Sequence, residues 1–135
     1  MNVWLAATHE IHPHHAAARA WIDSLDKDVF LYFCRFTQLG LLRLLTNSAA
    51  MRSDVLTQSQ AWKIFDALVA DPRTRLMDEP AGLDSVFRRQ TSSNQTATKQ
   101  WADGYLAAFA SVAGLHLVTF DRALAATTHG AVLLA

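Results

Sequence analysis

Two aspartates carry the most chemistry in this chain. Asp103 stands near the start of Lys99-Gln100-Trp101-Ala102-Asp103-Gly104-Tyr105-Leu106-Ala107-Ala108-Phe109-Ala110, which reads as the opening of a small-residue helix. Asp121 closes the short apolar stretch Leu115-His116-Leu117-Val118-Thr119-Phe120. In a parallel sheet the strand ends and the starts of the following helices face one rim, so the two carboxylates can converge on a single cation. Carboxylate oxygens suit a hard divalent ion such as Mg²⁺ or Mn²⁺, which keeps several waters and completes its shell with phosphate oxygens. Such an ion activates a water and clamps a phosphate oxygen, the chemistry of phosphodiester hydrolysis. Each aspartate also has a plainer reading. Asp103 can simply meet a helix dipole, and Asp121 can cap a helical turn beginning at Arg122. Their pairing, with Tyr105-Leu106-Ala107-Ala108 following the first, favours a site.

Other polar residues offer less. Gln38 lies among apolar neighbours and reads as a surface position on an amphipathic helix or as a source of a neutral carbonyl oxygen. Arg43 is either an exposed helix residue or a phosphate contact. Arg88, Arg89 and Lys99 flank the polar stretch 90–98, near Asp103, as a local phosphate-attracting patch or as ordinary loop solubility. His9, His12, His14 and His15 fit no common structural zinc spacing and read as a solvated helix start. Cys34 reads as a small buried residue. Trp4, Trp21, Trp62 and Trp101 fall on apolar faces, as core or partner-facing residues, with Trp4 the one most suited to a self-association patch.

These residues need elements to position them. Asn2 to Ala7 is either the end of a strand or a first helical turn. Pro13 suits the first position of an Ala-rich helix over 16–25, with Trp21 and Leu25 one turn apart. Val29-Phe30-Leu31-Tyr32-Phe33 is apolar at every position, the pattern of a buried parallel strand. A helix follows over 37–47. Thr57-Gln58-Ser59-Gln60 has the form of a capping box before a helix striped by Trp62, Phe65, Leu68 and Val69, which Asp71-Pro72 ends. Arg75 to Met77 is a weak strand, 82–89 a short helix and 90–98 a mobile loop. The helix from Lys99 to Ala113 is closed by Gly114. Strands over 115–120 and 131–134 flank a helical turn over 122–126. Strands alternating with helices give α/β architecture with a mostly parallel sheet.

The totals bound what this fold can do. With 135 residues, 51% of them apolar, the chain suits one domain with a real core. Lys and Arg together number 12 and match the 12 acids, so no global charge pulls it toward nucleic acid or membrane, and RNA binding must rest on a local patch. Cys34 is the only cysteine, which excludes an internal disulfide and points to an intracellular, cytoplasmic setting. No apolar run approaches the ~20 residues of a membrane span.

Taken in order, Asn2-Val3-Trp4-Leu5-Ala6, His12-Pro13-His14-His15-Ala16-Ala17, Trp21, the stretch 37–47, Trp101-Ala102-Asp103-Gly104-Tyr105-Leu106-Ala107-Ala108 and Thr119-Phe120-Asp121-Arg122 resemble the PIN-domain ribonucleases. Among these the chain is most similar to the VapC-type toxins of bacterial toxin–antitoxin pairs, in their mycobacterial and actinobacterial group. The resemblance spans nearly the whole chain. It implies a single PIN-like domain over 1–135, folded as a three-layer α/β/α sandwich around a central, mostly parallel sheet. It implies Mg²⁺- or Mn²⁺-dependent cleavage of RNA of the tRNA or rRNA class, a cognate antitoxin as partner, and a homodimer. Asp103 and Asp121 match family acids and become the expected metal ligands.

The resemblance also marks departures. The family's first acid would fall just before Met1, and the first strand with it. A start assigned too late is one explanation, and a degenerate toxin that binds antitoxin or RNA without cutting is the other. The second family acid falls on Gln38, and an optional one on Ala123. Gln38 and Asn2 are therefore expected in auxiliary catalytic roles, orienting a water or a carboxylate. A small-molecule hydrolase is disfavoured, because the chain has neither a glycine-rich phosphate loop nor a nucleophile elbow.

Overall fold

The computed structural model describes residues 2–135. The chain forms two compact units, Met1–Asp78 and Glu79–Ala135.

In the first unit the ambiguous N-terminal stretch is a helix, α1 (Asn2–Thr8). The Thr8 hydroxyl donates back to the Trp4 and Leu5 carbonyls at 3.0 and 3.2 Å, closing its last turn. Helix α2 (His15–Ser24) begins two residues after Pro13, because the His14 N–H turns onto the His12 ring at 3.1 Å before the helix starts. Strand β1 (Leu31–Phe33) is shorter than the apolar run predicts. Val29 and Phe30 are exposed, and Phe30 lies beneath the Arg75 guanidinium, 4.3 Å from its ring centre. Cys34 then caps α3 (Arg35–Leu45): its N–H donates to Thr37 Oγ1 at 3.0 Å. Helix α4 (Ser48–Met51) starts where the Ala49 N–H donates to Asn47 Oδ1, and a 3₁₀ turn follows over Arg52–Asp54. Helix α5 (Gln58–Val69) opens with the expected capping box, in which Gln60 N–H donates to Thr57 Oγ1 and Thr57 N–H to Gln60 Oε1. Strand β2 (Thr74–Leu76) pairs with β1 in parallel, Leu31 opposite Thr74 and Phe33 opposite Leu76.

Leu5, Phe33, Leu41, Leu45, Met51, Ala61 and Phe65 form the core of this unit. Trp4 is partly buried at the edge of that core and stacks on Phe33, with ring centres 4.2 Å apart. Trp62 is about half exposed, against the expectation that it stripes the buried face of α5. Arg73 closes the unit in a way the sequence does not announce. Its guanidinium donates to the Ile22 and Leu25 carbonyls at the end of α2 and is held by Asp71 at 3.0 Å.

The second unit begins with α6 (Leu83–Gln90), entered through Gly82 in the left-handed region at φ 85°. Residues 91–98 form no regular element. Helix α7 (Gln100–Ala113) ends at Gly114, whose φ of 69° is the helix-stop conformation expected of a glycine there. Phe87 of α6 packs edge-on against Trp101 and Tyr105 of α7. The Thr91 side chain at the end of α6 lies close to Gly104, where a Cβ would stand 2.4 Å from Thr91 Cγ2. Strand β3 (Val118–Thr119), helix α8 (Arg122–Thr127) and strand β4 (Val132–Leu133) complete a small parallel β-α-β unit, Val118 opposite Val132. Both strands are shorter than their apolar runs. The α/β class and the parallel pairing match the sequence expectation, and the pairing is distributed as β1-β2 and β3-β4.

Candidate metal site at the α7 and α8 starts

The second unit places both candidate acids at helix beginnings. Asp103 lies in the first turn of α7, half-buried, where its charge complements the exposed N–H groups of the helix. Asp121 follows β3 and caps α8. Its Oδ1 accepts from the Ala123 N–H at 2.9 Å and the Leu124 N–H at 3.1 Å, while its own N–H donates to Thr119 Oγ1 at 2.9 Å. That leaves Oδ2 facing outward, and it accepts from Lys99 Nζ at 3.0 Å.

Lys99 is bonded to one of the two acids. It stands one helical turn before Asp103 and pairs directly with Asp121 across the unit. Its ammonium is held above the usual lysine range by the bond to Asp121, then by the charges of Asp121 and of Asp103. The Asp121 carboxyl is correspondingly held below the usual carboxylate range, first by the Leu124 N–H and then by Lys99, against a smaller opposing effect of burial. The plain capping reading of Asp121 is therefore realised through Oδ1, while Oδ2 is engaged by a side chain.

The other candidates fall elsewhere. Gln38 sits in the first turns of α3 in the first unit, buried and not on the surface, and its Oε1 accepts from Arg35 Nη1. The Asn2 side chain, and the auxiliary role expected of it, lies outside the described residues. Arg43 is exposed in the last turn of α3, where a cation complements the helix end. Arg88 is engaged by Asp84 at 2.7 Å, so two of the three cations expected to attract phosphate are paired with acids. The histidines serve local structure: His9 meets Asp54 at 3.1 Å and His15 meets the Ala6 carbonyl at 2.7 Å. The His12 ring is pushed below the usual histidine range by burial and then by His14, His9 and His15. Among the described residues no group of three or more His, Cys, Asp or Glu side chains is gathered to hold a metal.

The candidate ligands are thus two carboxylates, with no soft donor between them. That donor set suits a hard divalent ion held through one or two carboxylates and completed by waters and substrate phosphate, and it does not suit a closed structural zinc site. Lys99 is the residue that the sequence undervalued. Its spacing from Asp103 was visible, but its bond to Asp121, 22 residues away, was not.

The family model for the PIN domain matches residues 1–130. The chain belongs to the PIN-domain family. It is 42% identical over 137 aligned positions to a protein named ribonuclease VapC41 of Mycobacterium tuberculosis, in both the CDC 1551/Oshkosh and the H37Rv strains. The alignment covers 98% of this chain and 92% of each relative. The family match takes in both aspartates, and it runs continuously through the two compact units.

Proposed function

We propose that this PIN-domain chain is a metal-dependent endoribonuclease, the toxin of a type II toxin–antitoxin pair. The observation that carries the reading is the PIN-domain match over residues 1–130, with 42% identity to a protein named as a ribonuclease; Asp103 and Asp121 at two helix starts agree with it. Asp103 and Asp121 would hold the ion, Mg²⁺ or Mn²⁺. When bound, such an ion lowers the pKa of water and neutralises charge on the phosphate.

The chain's own residues set the stage for that chemistry. The N–H groups of Ala123 and Leu124 fix the orientation of the Asp121 carboxylate and keep it charged, so its outer oxygen is presented without a search over rotamers. Helix α7 presents Asp103 on a rigid element. Gln38, whose Oε1 accepts from Arg35, and Asn2 keep the auxiliary roles of orienting a water or a carboxylate. A substrate of the tRNA or rRNA class, a cognate antitoxin and a homodimer belong to the same proposal, as does a cytoplasmic setting. Among the described residues no helix is long and apolar enough to cross a membrane. The three-layer sandwich and a single domain over 1–135 are supported by the continuity of the family match.

The thinness of the donor set favours one second reading, a PIN module that binds RNA or antitoxin without cutting. Metal-stripped protein given a structured RNA separates the two. The enzyme reading expects cleavage restored by Mn²⁺ or Mg²⁺ and abolished in Asp121→Asn. Binding without any cleavage at saturating ion supports the module.

A further inference from the structure

Asp121 divides its two oxygens. Oδ1 is committed to backbone N–H groups of α8, which no cation can replace, while Oδ2 is held by a side chain. Any ion that reaches Asp121 through its outward oxygen meets the Lys99 ammonium first. That ammonium is tethered by a flexible stem whose side chain is 74% exposed, so it can leave by bond rotation alone, with no backbone movement. An exposed pair of this kind is also weak enough to exchange.

We propose that Lys99 is a tethered counter-cation of this site: in the ion-free protein its ammonium holds the place at Asp121 Oδ2 that a divalent ion takes, and the two exchange. The proposal rests on the reading of Asp103 and Asp121 as ion ligands. Carboxylates that share one ion repel each other when the ion is absent. Lys99 offsets the charge of Asp121 directly, at 3.0 Å. The consequence is a threshold. The ion must displace a resident charge, so the site loads at higher ion concentration than two bare carboxylates would, and the chain keeps its rim assembled while unloaded. Lys99 is thus a positioning residue whose removal should improve ion binding, the opposite of what loss of a structural lysine would do.

The test is titration of the metal-stripped full chain with Mn²⁺, following free ion by electron paramagnetic resonance at low ionic strength. Lys99→Met should bind Mn²⁺ roughly two- to fivefold more tightly than the parent, the scale expected for losing one exposed ion pair. Lys99→Arg, which restores the charge, should return toward the parent value, and Asp121→Asn should lose binding. Lys99→Gln serves as a second neutral variant, with thermal melts confirming that each protein is folded. Unchanged or weaker Mn²⁺ binding in both neutral variants, with binding still lost in Asp121→Asn, overturns the exchange and leaves the site reading standing. Undiminished binding in Asp121→Asn overturns the site reading and the exchange together.

Discussion

Asp121 shows how one side chain can serve structure and chemistry at once. Asn is as good a helix cap as Asp, so Asp121→Asn should keep α8 while removing the charge. We expect its RNA cleavage to fall on the order of 100-fold or more, as loss of a metal ligand requires, with a melting temperature close to the parent. Asp121→Ala should lose the cap as well and melt a few degrees lower. A parallel loss of stability in both variants would assign the side chain to capping alone. A different pair sets acid sensitivity. The Asp71 carboxyl is held below its usual range by the side-chain bond from Arg73, then by the Arg73 N–H. A depressed carboxyl contributes stability above its unfolded pKa, which is lost as pH falls through the folded value. Asp71→Asn should therefore melt lower than the parent at neutral pH, and the gap should close as pH falls below about 4. Thermal melts across that window read it directly, and a constant gap would contradict it. Among single residues, the sequence exposed those whose chemistry is local. Asp103 and Asp121 were legible from their positions at a helix start and a strand end. The burial of Gln38 was not, because an isolated amide in an apolar helix suits surface and interior equally until the packing of α3 is known. Arg73 was equally hidden, since the carbonyls that it bonds lie 51 and 48 residues away.

Elements were legible where punctuation is chemical. The Thr57 to Gln60 capping box, the stop at Asp71-Pro72 and the cap at Gly114 all stand where side-chain or backbone chemistry dictates a helix end. Strands were less so. The apolar runs over 29–33 and 115–120 overstate β1 and β3, because ladder pairing depends on a partner strand that composition does not reveal. The approach of α6 to α7 at Gly104 is also invisible in sequence, and it matters to the site because Asp103 is the preceding residue. A Cβ at Gly104 would meet the β-branched Thr91, whose methyl cannot swing aside freely. Gly104→Ala should therefore lose stability by roughly 1–3 kcal/mol from overpacking, outweighing the ~1 kcal/mol gain in helix propensity at the upper end of that range. Adding Thr91→Ser removes the offending methyl while keeping the hydroxyl that donates to the Phe87 carbonyl. The double variant should regain the lost stability in urea unfolding. Failure of that rescue would mean that the close approach is not what Gly104 provides.

At the scale of the whole molecule, composition set the bounds and the family match supplied the rest. Length, neutrality and a single cysteine pointed to one small intracellular domain, while the strand pairing needed coordinates. The PIN match across both compact units leads us to expect one cooperative thermal transition, seen alike by circular dichroism and tryptophan fluorescence. Two separated transitions would assign the units to independent folding. With a formal net charge of zero, RNA attraction must rest on local cations, of which Arg88 and Lys99 are already paired with acids. Binding should accordingly weaken only modestly with salt, in contrast to proteins that neutralise many phosphates. Above all, Asp103 and Asp121 are proposed to form a working ion site for RNA cleavage. Its most direct test is cleavage of a structured RNA by the 135-residue chain with Mn²⁺ or Mg²⁺, beside Asp103→Asn and an EDTA control. Cleavage by the parent alone, lost on chelation and in the variant, is the expected result. Cleavage that survives chelation or Asp103→Asn, or a folded parent that cuts nothing at saturating ion, would contradict it.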